Sequence, residues 1–94
     1  MTSNETIVTA EERREHEFII IVDGQQKTVT SDIVSYIEVV ELAYPKDAHD
    51  PKYNFTVTYR HADQEPHHGT LVAGQTVRVK RKGTIFNVTR TVKS

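Results

Sequence analysis

The sequence predicts an α+β fold in which one helix packs across one face of a mixed sheet of four to five strands. Two observations carry this prediction. Phe18–Val22 is a run of five apolar residues, four of them β-branched, which is the composition of a buried strand. A single helix signal, from Ser35 to Tyr44, is then followed only by strand-like segments. One helix cannot cover both faces of such a sheet, so we expect the other face to stay open.

The first two strands form a predicted hairpin. Asp23-Gly24 closes the apolar run, and these residue types tolerate the positive φ that both positions of a two-residue turn require. A turn of this length pairs Phe18 with Val29 and Ile20 with Lys27. We therefore expect the helix-facing side of the hairpin to carry Phe18, Ile20, Val22 and Val29.

The helix is predicted to begin at a capping box. Ser35 can accept a hydrogen bond from the backbone N–H of Glu38, while the Glu38 carboxylate accepts one from the backbone of Ser35. The helix should end near Tyr44, because Pro45 disfavours helical geometry in the residue before it. Helical spacing predicts one apolar stripe that faces the sheet, made of Ile33, Tyr36, Val40 and Ala43.

Three further segments have strand patterns. Tyr53–Arg60 alternates between apolar and polar residues, as a half-buried strand does. A short strand is predicted at 77–80, and a turn at Lys82-Gly83 precedes the last strand, Thr84–Thr91. The loop before them is expected to be anchored in the core by Leu71 and Val72.

This order of elements is that of the β-grasp layout, in which the first strand lies in the middle of the sheet and runs parallel to the last. Strands paired in this way are buried and strongly apolar, and both segments meet that requirement. The predicted core consists of Phe18, Ile20, Val40, Phe55, Val57, Phe86 and Val88.

The composition limits the chemistry of the chain. Its 94 residues suit one small domain. It contains no cysteine, which excludes disulfides, thiolate metal ligands and thiol nucleophiles from this sequence. No apolar run approaches the length of a membrane span, and the N-terminus lacks the pattern of a signal peptide, so we expect a cytoplasmic protein with no membrane partner.

The charge is distributed unevenly along the chain. Residues 1–17 hold five Glu against two Arg, whereas residues 78–94 hold six Lys and Arg and no acidic residue. No aromatic residues alternate with these cations, so nucleic acid is not expected as a partner. A solvated edge strand guarded by Lys and Arg accounts for the basic end.

The segment 61–68 is where metal-ligand residue types cluster. His61, Asp63, Glu65 and His67 alternate, but Pro66 interrupts them, and structural zinc sites show tighter paired spacings. The sequence contains no nucleophile elbow and no phosphate-binding glycine loop. We therefore expect no metal site, no cofactor and no enzymatic activity.

Three parts are predicted along the chain: an N-terminal arm at 1–16, a domain at 17–92 and a short tail at 93–94. Ile7 and Val8 lie in a Thr-Ile-Val-Thr quartet that has strand propensity. That quartet is predicted either to add to an open sheet edge or to belong to an unstructured terminus.

The open sheet face is the candidate binding surface. Because strand side chains alternate, Ile19 and Ile21 must point away from the core that Ile20 and Val22 enter. We expect partner-binding residues at Ile19, Ile21, Thr28, Ile85 and Asn87. The alternative is that the arm or a second copy of the chain covers this face.

Several short blocks, in order, resemble the bacterial multiubiquitin domain family. They are Glu17–Gly24, Ser35-Tyr36, Val39–Ala43, Phe55–Arg60, Gly69–Gly74 and Phe86–Thr89. The resemblance covers about residues 17–92. It implies a ubiquitin-like β-grasp fold and a single-copy member, since the sequence contains no internal repeat.

The resemblance also implies a function. Members resemble ubiquitin and are often encoded beside activating-enzyme, conjugating-enzyme and metallopeptidase homologues. The resemblance therefore implies a protein modifier of a bacterial ubiquitination-like pathway, or a related interaction module, with the first two enzymes as partners and a metallopeptidase to trim the tail. The implied conjugation tail is Thr91, Val92, Lys93 and Ser94, which lacks the terminal glycine typical of modifiers. The alternative function is a non-covalent module that self-associates when the arm adds to the sheet of a neighbour.

Overall fold

A computed structural model describes residues 17–93 of the chain. Within that range it contains one helix, a mixed five-stranded sheet and a second, two-stranded sheet. The α+β prediction is therefore confirmed, and the arrangement is that of a ubiquitin-like β-grasp domain. The predictions for Ile7, Val8 and Ser94 lie outside the described residues. In chain order the elements are β1 (Phe18–Val22), β2 (Gln25–Val29), β3 (Ile33–Ser35), α1 (Tyr36–Ala43), β4 (Tyr53–Arg60), β5 (Gly69–Leu71), β6 (Thr76–Arg78) and β7 (Lys82–Val92).

The strands of the main sheet lie in the order β2-β1-β7-β4-β5. β1 runs parallel to β7 and antiparallel to β2, and β7 pairs antiparallel with β4. The hairpin register is the predicted one, with Phe18 opposite Val29 and Ile20 opposite Lys27. The first strand is thus interior and parallel to the last, as expected from its apolar sequence.

The predicted capping box forms at the start of α1. The Glu38 N–H donates to Ser35 Oγ at 3.2 Å, and the Ser35 N–H donates to Glu38 Oε1 at 3.0 Å. Tyr44 caps the other end, next to Pro45. The helix turns Val39 and Val40 fully into the core.

Ile33 was predicted on the helical stripe, and that prediction is wrong. Residues 33–35 are extended and form β3, where Ile33 lies opposite Arg78 of β6. Its side chain is 39% exposed. The apolar spacing extended one turn beyond the capping box, but the Ser35 cap requires an extended backbone there.

The core lies between α1 and the inner face of the main sheet. Five predicted members are buried: Ile20, Val40, Val57, Phe86 and Val88. Phe18 and Phe55 are only partly buried and pack against the edge of this cluster. They lie near strand ends, where Phe18 is covered by the Arg81 guanidinium at 5.0 Å and Phe55 by the Tyr44 ring at 5.6 Å.

The loop anchor is one residue rather than two. Leu71 is 3% exposed, whereas Val72 is 49% exposed, so the prediction for Val72 is wrong. Leu71 is the last residue of β5, and a strand that points Leu71 inward must point its successor outward.

Lys82-Gly83 was predicted as a turn, but both residues belong to β7. Ile19 pairs with Lys82 and Ile20 with Thr84, so the register shifts between them and Gly83 is left without a partner. Its φ of 104° is accessible to glycine and strained for other residues. An unpaired residue of this kind forms a β-bulge. A glycine in the sequence can therefore indicate a bulge inside a strand as well as a turn between strands.

Asp23 links the first hairpin to the last strand. Asp23 and Gly24 have φ of 51° and 83°, as the predicted turn requires. Beyond the end of β1, the Asp23 N–H donates to Phe86 O at 3.0 Å, and Asp23 Oδ1 accepts from the Val88 N–H at 2.9 Å. One turn residue therefore continues the hydrogen bonding of β7 after its partner strand has ended.

Candidate interaction surface

Three isoleucines lie side by side on the outer face of the main sheet, the face opposite α1. Ile19 and Ile21 alternate with the buried Ile20 and Val22, and Ile21 is directly aligned with Ile85 of β7. We call Ile19, Ile21 and Ile85 the isoleucine patch. All three side chains are half-buried, because neighbouring strands lie only about 4.8 Å apart and their side chains shield one another.

The β-bulge at Gly83 determines which residues of β7 reach this patch. The bulge aligns Thr84 with Ile20, so Thr84 points inward and is fully buried. There its hydroxyl donates to His61 O and accepts from the Lys80 N–H, both at 2.9 Å. The next residue, Ile85, therefore points outward. Shifting a strand by one residue would exchange the two faces.

The other predicted binding residues flank the patch. Thr28 is exposed on β2 opposite Ile19, and Asn87 is exposed on β7 opposite Thr58. The register thus brings together all five residues predicted from the sequence on one face. That this face binds a partner remains a prediction.

A shallow open depression of about 630 Å³ adjoins the patch on the side of β4 and β5. Arg60, which lies opposite Ile85, contributes a cation to its rim. The surface therefore combines an apolar strip with hydrogen-bonding and cationic groups, a combination found in protein-binding sites. The depression is lined by Thr58, Tyr59, Arg60, His61, His67, His68, Gly69, Thr70 and Asn87.

The segment 61–68 does not assemble ligands around one point. His67 Nε2 lies 2.8 Å from Glu65 Oε2, and His67 Nδ1 lies 3.1 Å from Ala62 O. Among residues 17–93 no group of three or more His, Asp or Glu side chains is placed to hold a metal ion.

The C-terminal residues predicted as a conjugation tail continue the sheet. Thr91 pairs with Asn54 and Val92 with Tyr53, and the Lys93 N–H donates to Lys52 O at 2.8 Å. Val92 is nevertheless 70% exposed. Arg90 stabilises this pairing of β7 with β4. Its guanidinium lies 4.6 Å from the centre of the Tyr53 ring and 5.2 Å from the centre of the Tyr44 ring, and it also contacts the Asp47 carboxylate.

Sequence reasoning did not include Arg60 and Thr58 in the candidate surface. Strict alternation in Tyr53–Arg60 already placed both on the polar face of their strand. The missing information was that this strand pairs with β7, which brings its polar face beside Ile85 and Asn87.

Taken together, one helix across a mixed sheet, with the last strand at its centre and an open outer face, define a ubiquitin-like β-grasp domain. The family model for Multiubiquitin matches residues 18–92, so the chain belongs to the multiubiquitin family. Small domains of this class are generally not catalysts. No curated protein and no solved structure matches the chain.

No helix within residues 17–93 has the length and apolar character needed to cross a membrane.

Proposed function

We propose that the chain is a ubiquitin-like protein modifier of a bacterial ubiquitination-like pathway, acting in the cytoplasm as a substrate and not as an enzyme. Its partners are activating-enzyme and conjugating-enzyme homologues, and a metallopeptidase that trims the tail. Family membership supports the pathway. The outer face supports a protein partner, because a half-buried apolar strip ringed by polar groups suits a docking site.

The observation that carries the proposal is the continuity of β7. This strand contributes Ile85 and Asn87 to the outer face and then runs to Val92 without a break. The seven residue steps from Ile85 to Val92 span about 23 Å of extended chain. An enzyme docked on the patch therefore meets the C-terminal end at a fixed distance and direction.

The chemistry needs only a carboxylate from this chain. An oxygen of the C-terminal carboxylate, on Ser94 or on the residue exposed by trimming, attacks the α-phosphorus of ATP and displaces pyrophosphate. A thiol or an amine then attacks the acyl carbon, loses its proton and displaces AMP. To enter an enzyme channel, Thr91 and Val92 must first leave β4 and Lys93 must leave Lys52, which costs about 0.5–1.5 kcal/mol for each hydrogen bond broken.

The experiment is ATP–pyrophosphate exchange with an activating-enzyme homologue from the organism that encodes this chain. The matched control is the same protein carrying a C-terminal amide, which keeps the fold and removes the reacting carboxylate. We expect exchange with the free carboxylate only. Exchange that is equal for both forms, or absent for both when the enzyme is active on another modifier, contradicts the proposal.

A second candidate is a non-covalent assembly module in which the Ile7-Val8 arm adds to the sheet of a neighbouring copy. The pairing of β7 with β4 through Lys93 favours it, because it keeps the tail inside the sheet. A concentration-dependent oligomer that disappears when residues 1–16 are deleted is the result expected for this function. A monomer at all concentrations contradicts it.

A further inference from the structure

A groove runs between the edge strand β2 and the helix α1, on the opposite side of β2 from the isoleucine patch. Its volume is about 330 Å³. Val29 and Leu42 form its apolar floor, and both are half-buried against the core. The groove is lined by Thr28, Val29, Thr30, Glu38, Glu41 and Leu42.

The strand beside the groove has a free backbone edge. β2 is the last strand on its side of the main sheet, and no other strand within residues 17–93 pairs with it there. An unpaired strand edge presents a row of N–H and C=O groups that an extended segment can pair with. A free edge next to an apolar floor fits an added strand with one inward apolar side chain.

The rim of the groove is acidic. Glu38 Oε1 accepts from the Ser35 N–H at 3.0 Å, and Glu41 Oε2 lies 2.7 Å from His49 Nε2. A carboxylate accepts about four hydrogen bonds, so each retains capacity for a further donor. Among residues 17–93, no Lys or Arg lines the groove. A cationic side chain of the occupant can therefore approach this rim beside its apolar residues.

We propose that the occupant is this chain's own N-terminal arm, with Thr6–Thr9 paired along the free edge of β2 in the same molecule. The arm leads into β1 through Glu17, and Phe18 of β1 is paired with Val29, which lies in the groove. The arm therefore joins the domain at the end of the sheet where the groove lies.

The length of the arm permits this docking. The seven residues between Thr9 and Glu17 reach about 23–25 Å when extended. The path from β1 across β2 to a new strand is two strand spacings, or about 10 Å. Since the arm must return to the Phe18 end, where β2 finishes, the shortest connection has the added strand running parallel to β2.

The sequence of the arm matches the groove in two respects. Thr6-Ile7-Val8-Thr9 has high strand propensity, and alternation turns one of its two apolar residues toward Val29 and Leu42. Arg14 and Arg13 lie three and four residues before Glu17, and the proposed docking assigns this pair, rather than the glutamates around it, to the carboxylates of Glu38 and Glu41. This docking is independent of the proposed conjugation.

The test is disulfide trapping, for which the absence of native cysteine gives a clean background. Thr28→Cys is combined in turn with single cysteines at each position from 6 to 9, and the reduced proteins are oxidised with oxidised glutathione. Adjacent strands bring Cα atoms within the 7 Å that a disulfide requires. The matched control is Thr70→Cys with the same arm cysteines, because Thr70 is also exposed but lies on β5, the opposite edge.

We expect at least one arm position to form an intramolecular disulfide with Thr28→Cys at least tenfold faster than with Thr70→Cys. Equal rates at the two edges would overturn the inference. So would disulfide-linked dimers that dominate and increase with protein concentration, because they would show that the groove takes the arm of another copy.

Two further variants test the contacts of the arm. Deleting residues 1–16 should speed hydrogen exchange of the Thr28 amide about tenfold, because the alternation of hydrogen-bonded pairs points this N–H at the free edge, and should leave the amides of β5 unchanged. Arg13→Glu with Arg14→Glu should slow trapping at Thr28→Cys about fivefold at low salt, the effect of losing two ion pairs of up to about 1 kcal/mol in total. Exchange that is unchanged by the deletion, or trapping that is unchanged by charge reversal, contradicts the proposed docking.

Discussion

Replacing Asp23 separates the two roles of this residue, which occupies a turn position and accepts a hydrogen bond from β7. In Asp23→Ala the Val88 N–H loses its acceptor at 2.9 Å, in a residue that is 5% exposed. An unsatisfied buried N–H costs about 1–3 kcal/mol. Alanine at a φ of 51° adds about 1 kcal/mol, because its Cβ crowds the backbone in left-handed geometry.

The expected loss for Asp23→Ala is therefore about 2–4 kcal/mol, a large share of the roughly 5–14 kcal/mol that stabilises a domain of this size. Asp23→Gly relieves the backbone strain but still lacks the acceptor, so it should lose about 1–3 kcal/mol. Asp23→Asn keeps an acceptor oxygen and tolerates positive φ, so we expect it to remain within about 1 kcal/mol of the parent.

Urea denaturation followed by tyrosine fluorescence and circular dichroism measures these differences, since the chain has four tyrosines and no tryptophan. The expected order of stability is parent, Asp23→Asn, Asp23→Gly, Asp23→Ala. If Asp23→Asn falls as far as Asp23→Ala, the hydrogen bond to Val88 is not the stabilising contact. If Asp23→Ala unfolds at the same urea concentration as the parent, neither the hydrogen bond to Val88 nor the backbone geometry at this position affects stability.

Two further predictions concern the core and the C-terminal end of the sheet. Phe86→Ala removes a fully buried ring and should lower the free energy of unfolding by about 3–5 kcal/mol. In circular dichroism the cooperative thermal transition should disappear or move to a much lower temperature. A transition near that of the parent would show that Phe86 does not point into the core. Arg90→Ala should lower the free energy of unfolding by about 1–2 kcal/mol, because it removes a guanidinium that stacks on two tyrosines. Arg90→Lys should recover part of this stability. Urea midpoints that equal that of the parent would contradict the stacking.

The hairpin and the helix cap were predictable because each depends on a local signal. Asp23-Gly24 fixes its own turn, and the turn then fixes the register of Phe18 with Val29. Ser35 and Glu38 satisfy each other's backbone within one turn of helix. Local chemistry of this kind does not depend on the rest of the fold.

The features that were missed depend on partners distant in sequence. Gly83 is compatible with a turn or a bulge, and only the pairing of its neighbours Lys82 and Thr84 with β1 decides between them. Ile33 has helical spacing, but pairing with β6 draws it into a strand. The contact of Asp23 with Val88 spans 65 residues and leaves no periodic signal.

The alternation of side chains along a strand predicted the position of the candidate surface but did not predict its extent. Alternation alone places Ile19 and Ile21 outward, and the structure agrees. Burial of these side chains depends on the neighbouring strands, so the sequence did not show that they are half-buried rather than fully exposed. The contribution of Arg60 follows from the pairing of β4 with β7, which only the assembled sheet reveals.

The measurement that most directly tests the proposed function is the affinity of an activating-enzyme homologue for the Ile19→Thr/Ile21→Thr variant. Threonine keeps the β-branch, so the fold should persist with a loss of about 1–2 kcal/mol from the half-buried apolar surface. The matched control is Ile33→Thr/Ile37→Thr, which removes the same groups from exposed positions away from the outer face. At about 1 kcal/mol or more for each central interface residue, the outer-face variant should bind about 25-fold more weakly and the control should bind like the parent. Equal affinity for all three folded proteins, or an equal loss in the control, would contradict a partner site at the isoleucine patch.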